Sequence, residues 1–293
     1  MTAFVRIGVV GPLTGPQSEH GALLMEAASR GLVAARTSVP GLRIALEAAD
    51  DRNDPEFAMI AARSLLAAGV HAVIGHCDSD AAAAAAPLYR DASVPLLITA
   101  ATRPLLAAQT GALRLCPSAR AEMDALFEAL APCARIAIAS ERATHGRRLE
   151  TLFLDDPRVA GRVSALGRLD DPVAPPGDVV VLFGTHECVL DALYRWKGGG
   201  GRYLACGACS LPAFMDTCPD GLDIGVAMPS PEFPEATRRA VLLVAEHAAG
   251  GLDGLRERLL ADERFEMGEA KGACYRVEPI ASFAASRGSV DEP

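Results

Sequence analysis

The chain has 293 residues, of which 50% are apolar, 22% charged and only 5% aromatic, and its formal net charge is −9. That length suffices for two compact lobes, each with its own core. The acidic balance excludes a nucleic-acid binder, which needs a basic surface, and no window approaches the roughly 20 apolar residues of a membrane-spanning helix. With so few aromatic side chains the cores must be built from Ala, Leu, Val and Ile. That composition suits buried parallel strands covered by Ala-rich helices.

Met1 leads almost at once into an apolar strand, Phe4 to Val10, without the basic segment, apolar core and cleavage site of a secretory leader. The expectation is therefore a periplasmic protein whose leader has been removed, or a cytoplasmic one that starts at Met1. The turn-rich Gly11-Pro12-Leu13-Thr14-Gly15-Pro16 comes next, and residues 21–36 carry apolar side chains at helical spacing. Leu42 to Ala48 alternates like a strand. Asp54-Pro55 then opens a helix to about Ala68, with an acid at the cap and proline at the first helical position. Val70 to Gly75 reads as a strand, 81–91 as a helix and Val94 to Ile98 as a strand.

The alternation restarts near residue 121. Helix 121–130, strand Arg135 to Ala139, helix 145–154, strand Val179 to Phe183 and helix 187–196 follow in turn. The run Gly198-Gly199-Gly200-Gly201 is expected to be a mobile turn, and Tyr203-Leu204-Ala205 forms the next strand. The stretch Met228-Pro229-Ser230-Pro231-Glu232-Phe233-Pro234 reads as a crossing between lobes, before helices 235–249 and 252–262. Strand–helix alternation of this kind implies an α/β fold with parallel sheets. The expected first lobe is 1–118 with about 229–270, and the second is about 119–228 with about 271–293.

In open parallel sheets ligands bind beyond the carboxyl ends of the strands. The richest such loop is His76-Cys77-Asp78-Ser79-Asp80, which runs into six alanines, Ala81 to Ala86. Ser79 or a flanking aspartate is a natural N-cap, and the amides of a helix start are a seat for a carboxylate. Thr102, before Arg103-Pro104, reads as a second cap on the neighbouring loop. Ser79 and Thr102 can thus face one ligand, or both hydroxyls can simply cap helices.

The eight cysteines (77, 116, 133, 188, 206, 209, 218 and 274) are scattered and read as reduced thiols rather than a disulfide framework. Cys206-x-x-Cys209 has metal or redox spacing, but no second such pair and no HxxxH accompanies it, so no metal or cofactor is expected. A Cys–His nucleophile, as in a hydrolase, lacks any orienting third residue in the sequence. The reading is not an enzyme.

Three stretches, IGVVGPLTGPQSEHG, EAADDRNDPEFAMIAARSLLAAGVHAVIGH and APLYRDASVPLLITAATRPLL, resemble the leucine/isoleucine/valine-binding proteins of ABC importers. RIAIASERATHGRRL and DVVVLFG extend the resemblance more weakly. It implies two Rossmann-like lobes joined by a multi-strand hinge, with the ligand in the cleft. It places the grip on the ligand carboxylate at Ser79 and Thr102, beside Cys77 and Asp78, and the carbonyl that receives the ammonium at Ala100. Second-lobe wall positions fall on His145 and on Thr185 or His186, and an N-terminal contact falls near Ser18 to His20. The same mapping brings Cys206 and Cys209 to cleft loops.

Three departures stand out. No Asp or Glu lies in Ala205 to Ser210, where the family's ammonium partner belongs. Histidine and threonine replace the tyrosines of the wall. Asp78 and Asp80 bracket Ser79. The resemblance implies an importer's solute-binding protein with an ABC permease as partner, binding a small carboxylate- or amide-bearing solute, and the departures point away from leucine, isoleucine and valine. The alternative is a cytoplasmic sensor of the amide-sensing type, partnered by a regulator protein.

Overall fold

The structure, a computed structural model, describes residues 4–131, 134–196 and 201–280. Cys133 and most of the glycine run, Gly198 to Gly200, lie outside the described residues. The chain divides into two compact units: Met1–Ser118 with Ser230–Cys274, and Ala119–Pro229 with Tyr275 onward.

The first unit opens with β1 (Phe4–Gly11), α1 (Ser18–Ser38), β2 (Arg43–Asp50), α2 (Pro55–Ala67), β3 (Ala72–Gly75), α3 (Ser79–Asp91), β4 (Leu96–Ile98), α4 (Leu106–Thr110) and β5 (Leu113–Arg114). The second unit follows with α5 (Ala119–Ala129), β6 (Ile136–Ser140), α6 (Thr144–Leu154), β7 (Val163–Arg168), β8 (Val179–Phe183), α7 (His186–Arg195), β9 (Arg202–Ala205), α8 (Pro212–Thr217) and β10 (Ile224–Ser230). The chain then returns to the first unit through α9 (Phe233–Ala248), α10 (Leu255–Leu260) and a short hairpin, β11 (Phe265–Glu266) and β12 (Glu269–Ala270). Its last described strand, β13 (Cys274–Pro279), joins the second sheet.

The first sheet runs β11-β12-β5-β4-β3-β1-β2, parallel from β12 to β2, with β11 antiparallel at the edge. The second runs β13-β10-β9-β8-β6-β7 and is parallel from β10 to β7. The expected α/β class, parallel sheets in two lobes, is the observed one. In each sheet the chain starts in the interior and winds first one way and then the other. Strand order therefore reverses between β1 and β3 in one unit and between β6 and β8 in the other. Loops diverge at these points, and their carboxyl ends are where such sheets bind ligands.

The interior strands are buried on both faces, as the unbroken apolar runs Val73-Ile74 and Val179-Val180-Val181-Leu182-Phe183 require. Alanines make the helix contacts: Ala58, Ala61 and Ala62 of α2 share one core cluster with Ala81, Ala82, Ala85 and Ala86 of α3. On the other face Gly31 of α1 lies so near α9 that a Cβ there would come within 2.8 Å of the Val241 Cβ. Asp54 caps α2 as its sequence suggests, accepting from the amides of Glu56 (2.8 Å) and Phe57 (3.1 Å).

Strand β7 was not legible in the sequence. It is the sheet edge, with half-buried and exposed residues alternating, so its apolar signal is diluted by Ser164 and Gly167. Met228 to Ser230 complete β10, and the two units divide between Pro229 and Ser230, within the stretch expected to be a crossing.

A buried polar tie joins the ends of β2 and β3. His76 Nδ1 lies 2.6 Å from Asp51 Oδ2 and its Nε2 lies 3.2 Å from the Tyr89 hydroxyl, all three residues being fully buried. The network assigns the Nδ1 proton as donated to Asp51 and the Tyr89 hydroxyl as donating to Nε2. Gly75 makes room for this turn: with φ at 132° and Val10 alongside, a Cβ would fall 1.9 Å from the Val10 carbonyl oxygen. Removing one member of a buried pair strands the other. His76→Ala is expected to lower stability to urea by about 3 kcal/mol; a loss below about 1 kcal/mol would show that the tie is not stabilising.

Candidate functional site

The carboxyl ends of β3 and β4 carry the first set of candidates. Asp78, not Ser79, is the N-cap of α3, and its carboxylate accepts from the amides of Asp80 (2.7 Å) and Ala81 (2.9 Å). The chain's own acid therefore occupies much of the carboxylate seat expected at this helix start. Asp80 is neutralised by Arg103, whose Nη1 lies 3.0 Å from Oδ1. Both bracketing aspartates thus have partners.

Ser79 Oγ accepts the Arg103 amide at 3.3 Å, which ties the loop after β3 to the loop after β4. The Ser79 hydroxyl keeps its proton available to donate. Thr102 is half-buried in this second loop and caps no helix, contrary to the second-cap reading. The residue before α4 is Leu105, in a left-handed conformation without a side-chain cap. Ala100 is half-buried two residues before Thr102, and Cys77 is half-buried one residue before the Asp78 cap. Burial, with the charge of Asp51 next in importance, pushes the Cys77 thiol well up. His20 lies in the first turn of α1 with its ring 6.3 Å from that of Phe233.

The second set lies in the other unit, around β6, β8 and β9. Glu141, just past β6, is 6% exposed and spans two helix starts. Its Oε1 accepts from the Gly146 amide of α6 and its Oε2 from the Thr185 amide before α7, both at 3.1 Å. The carboxylate is thereby committed to backbone donors. Gly146 is required by the same packing, since a Cβ would meet the Glu141 Cγ at 2.5 Å. Thr185 is half-buried at the N-cap of α7, while His186 is buried and pairs through Nδ1 with Glu187 at 3.2 Å.

The loop after β9 holds what the sequence did not reveal. Glu122 of α5, 2% exposed, accepts the Gly207 amide at 2.7 Å. The loop from Ala205 to Ser210 has no acid of its own, yet it receives one from a helix more than 80 residues earlier. Only its position in α5 could have flagged Glu122, where a glutamate stands among the buried faces of Ala119, Met123 and Leu126. Burial, and then the charge of Cys206, push the Glu122 carboxyl up to about 8.

His145 is hydrogen-bonded to Cys206. His145 itself is an exposed residue. Crowding around the ring acts to lower its pKa, but the bond to Cys206 and the charges of Cys206, Glu122 and Glu141 more than reverse this and raise it to about 9. Cys206 and Cys209 are both fully buried. A hydrogen bond from Cys209, together with His145, draws the Cys206 thiol well below its ordinary range, and burial pushes Cys209 well above it.

A family model described as a periplasmic binding protein matches residues 5–152, half of the chain. The chain belongs to that periplasmic binding protein family. Among characterised relatives, a Leu/Ile/Val-binding protein of Citrobacter freundii is 29% identical over 107 residues, which cover 36% of this chain and 29% of that protein. The branched-chain amino-acid substrate-binding protein LivJ of Streptococcus pneumoniae, solved with isoleucine, has a TM-score of 0.77 at 15% identity, covering 94% of this chain and 99% of its own. A solute-binding protein of Rhodopseudomonas palustris, solved with 3,4-dihydroxybenzoic acid, has a TM-score of 0.71 at 16% identity, covering 88% of this chain and 84% of its own. At these identities the structural likeness is one of fold.

The raised Glu122 carboxyl has a measurable consequence. Folded Glu122 keeps its proton to about pH 8, whereas an unfolded glutamate releases it near 4.5, so folding takes up a proton between these values. The contribution of Glu122 to stability is complete at low pH and declines as pH rises through about 8. Glu122→Gln keeps an acceptor for Gly207 and removes the titration. Urea unfolding is expected to show the wild type losing stability relative to this variant between about pH 5 and pH 8; a pH-independent difference would contradict the assignment.

Proposed function

We propose that the chain is a solute-binding protein of the branched-chain amino-acid importer type. It takes a small carboxylate-bearing solute, as the family resemblance implies, and delivers it to an ABC permease. Family membership supports the class, and the observation that carries the reading is the Ser79–Arg103 bond joining two adjacent loops. That bond holds the Ser79 hydroxyl beside the loop of Ala100 and Thr102, where the resemblance places the carboxylate and ammonium contacts. The relatives are transport binding proteins, which supports an importer component over a sensor.

The solute reading changes with Glu122. Without an acid near Cys206 to Ser210, a buried ligand ammonium would be too costly, because desolvating a charge is offset only by pairing. Glu122 meets the Gly207 amide in that loop, so an acid is present after all, one that a ligand ammonium beside it would draw to its charged form. An amino acid with a small or polar side chain is therefore the solute proposed, with Glu122 on its amino group. A hydroxybenzoate is the second reading, since a neighbour in fold was solved with such an acid.

A thermal-shift screen separates them, since a ligand at 100 times its dissociation constant adds about 2.7 kcal/mol of stability. Amino acids are expected to raise the melting temperature of the wild type and not of Glu122→Gln. A shift from hydroxybenzoates alone, equal in both proteins, would select the second reading.

Replacement of either hydroxyl in the first lobe is expected to weaken whichever carboxylate binds. Ser79→Ala or Thr102→Ala should each cost about 1.5–3 kcal/mol, roughly ten- to hundredfold in affinity by calorimetry. Unchanged affinity in both would move the carboxylate contact elsewhere.

A further inference from the structure

The turn after β9 carries two thiols for which solute binding has no evident use. Cys209 donates its backbone amide to the Cys206 carbonyl at 2.9 Å, and Ser210 does the same to Gly207 at 3.0 Å. Residues 207–209 are thus one turn of 3₁₀ helix with Cys206 at its cap. In such a turn side chains at i and i+3 eclipse, and the Cα atoms of a turn closed in this way lie within about 7 Å. A disulfide spans about 4.4–6.8 Å between Cα atoms.

We propose that Cys206 and Cys209 are a redox-active dithiol that closes to a disulfide by exchange with a low-molecular-weight disulfide. The dithiol does not depend on the solute-binding reading. The cysteines play unequal parts because their surroundings differ. Cys206 has His145 as a hydrogen-bonded neighbour and Cys209 as a donor, both of which favour its thiolate, the attacking form. Protonated, the same sulfur donates to the Gly184 carbonyl at 3.2 Å, so both states are accommodated. Cys209 stays a thiol until needed, since burial and the Cys206 thiolate beside it oppose its ionisation.

The exchange proceeds in two steps. The Cys206 thiolate attacks one sulfur of RSSR, forming a Cys206–SR mixed disulfide and expelling RS⁻, which takes up a proton from water. Cys209 then gives up its proton to a base, and its sulfur attacks Cys206 and expels the second thiolate, which is protonated in turn. From the Cys206 thiolate the protein loses two electrons and the Cys209 proton, and RSSR, with one further proton from water, leaves as two RSH. Burial of both sulfurs slows the first attack, because Cys206 must be uncovered by local movement, but it does not set the equilibrium.

The test is prolonged equilibration of the full chain in glutathione/glutathione-disulfide buffers of graded ratio. Remaining thiols are then alkylated and the tryptic peptide Tyr203 to Arg238, which also holds Cys218, is sequenced by mass spectrometry. The proposal expects this peptide to become lighter by two hydrogens, with the bond located between Cys206 and Cys209, and to revert in excess reduced glutathione. Cys218→Ser should leave the transition unchanged, and Cys206→Ser and Cys209→Ser should each abolish it. His145→Gln should slow closure several-fold at neutral pH, with circular dichroism showing that the variant is folded. Alkylation of both thiols across the whole range while the protein stays folded would overturn the proposal. So would a bond that uses Cys218, or arrest at the glutathione adduct on Cys206.

Discussion

A carboxylate taken out of water must be met by hydrogen-bond donors, and this requirement shapes the functional ends of both units. Asp51 is fully buried and meets His76 and the Asn53 amide. Glu141 bridges the amides of Gly146 and Thr185, and Glu122 holds the Gly207 amide. Each of these acids joins segments separate in sequence at the carboxyl end of a sheet. Loops near the points of strand reversal are tied together by these bonds.

The two units use the same device with different consequences. In the first, the acids nearest the candidate site are neutralised in place, Asp78 by its own helix amides and Asp80 by Arg103. The hydroxyls of Ser79 and Thr102 are left as the polar groups of the two loops. In the second, Glu122 lies beside a thiol and an imidazole that also ionise, so charge is shared within a cluster. Protonation of one member depends on the others. That cluster is where this chain departs most from the aromatic wall that its family resemblance implies.

Much of the fold was legible from local pattern. The apolar runs Val73-Ile74 and Val179 to Phe183 read as buried strands, and Asp54-Pro55 as a helix start, because burial on both faces and end-capping are written into short stretches of sequence. Edge elements were less so. Strand β7 and the β11–β12 hairpin bury little, and a two-residue strand has too few positions to show a period. In the first lobe, the loops of Ser79 and Thr102 could be placed side by side because β3 and β4 are neighbours in sequence and sheet alike.

The sequence by itself determined the α/β class, the order of the main elements and the loops on which chemistry could sit, since these follow from periodicity and capping over a few residues. Tertiary structure alone decided which charges those loops feel. It turned Asp78 onto its own helix, paired Asp80 with Arg103, committed Glu141 to two backbone amides, and delivered Glu122 to a loop with no acid of its own. The reason is physical: a carboxylate reaches only a few ångströms, and which donors lie within that reach depends on chain segments up to 85 residues apart in sequence.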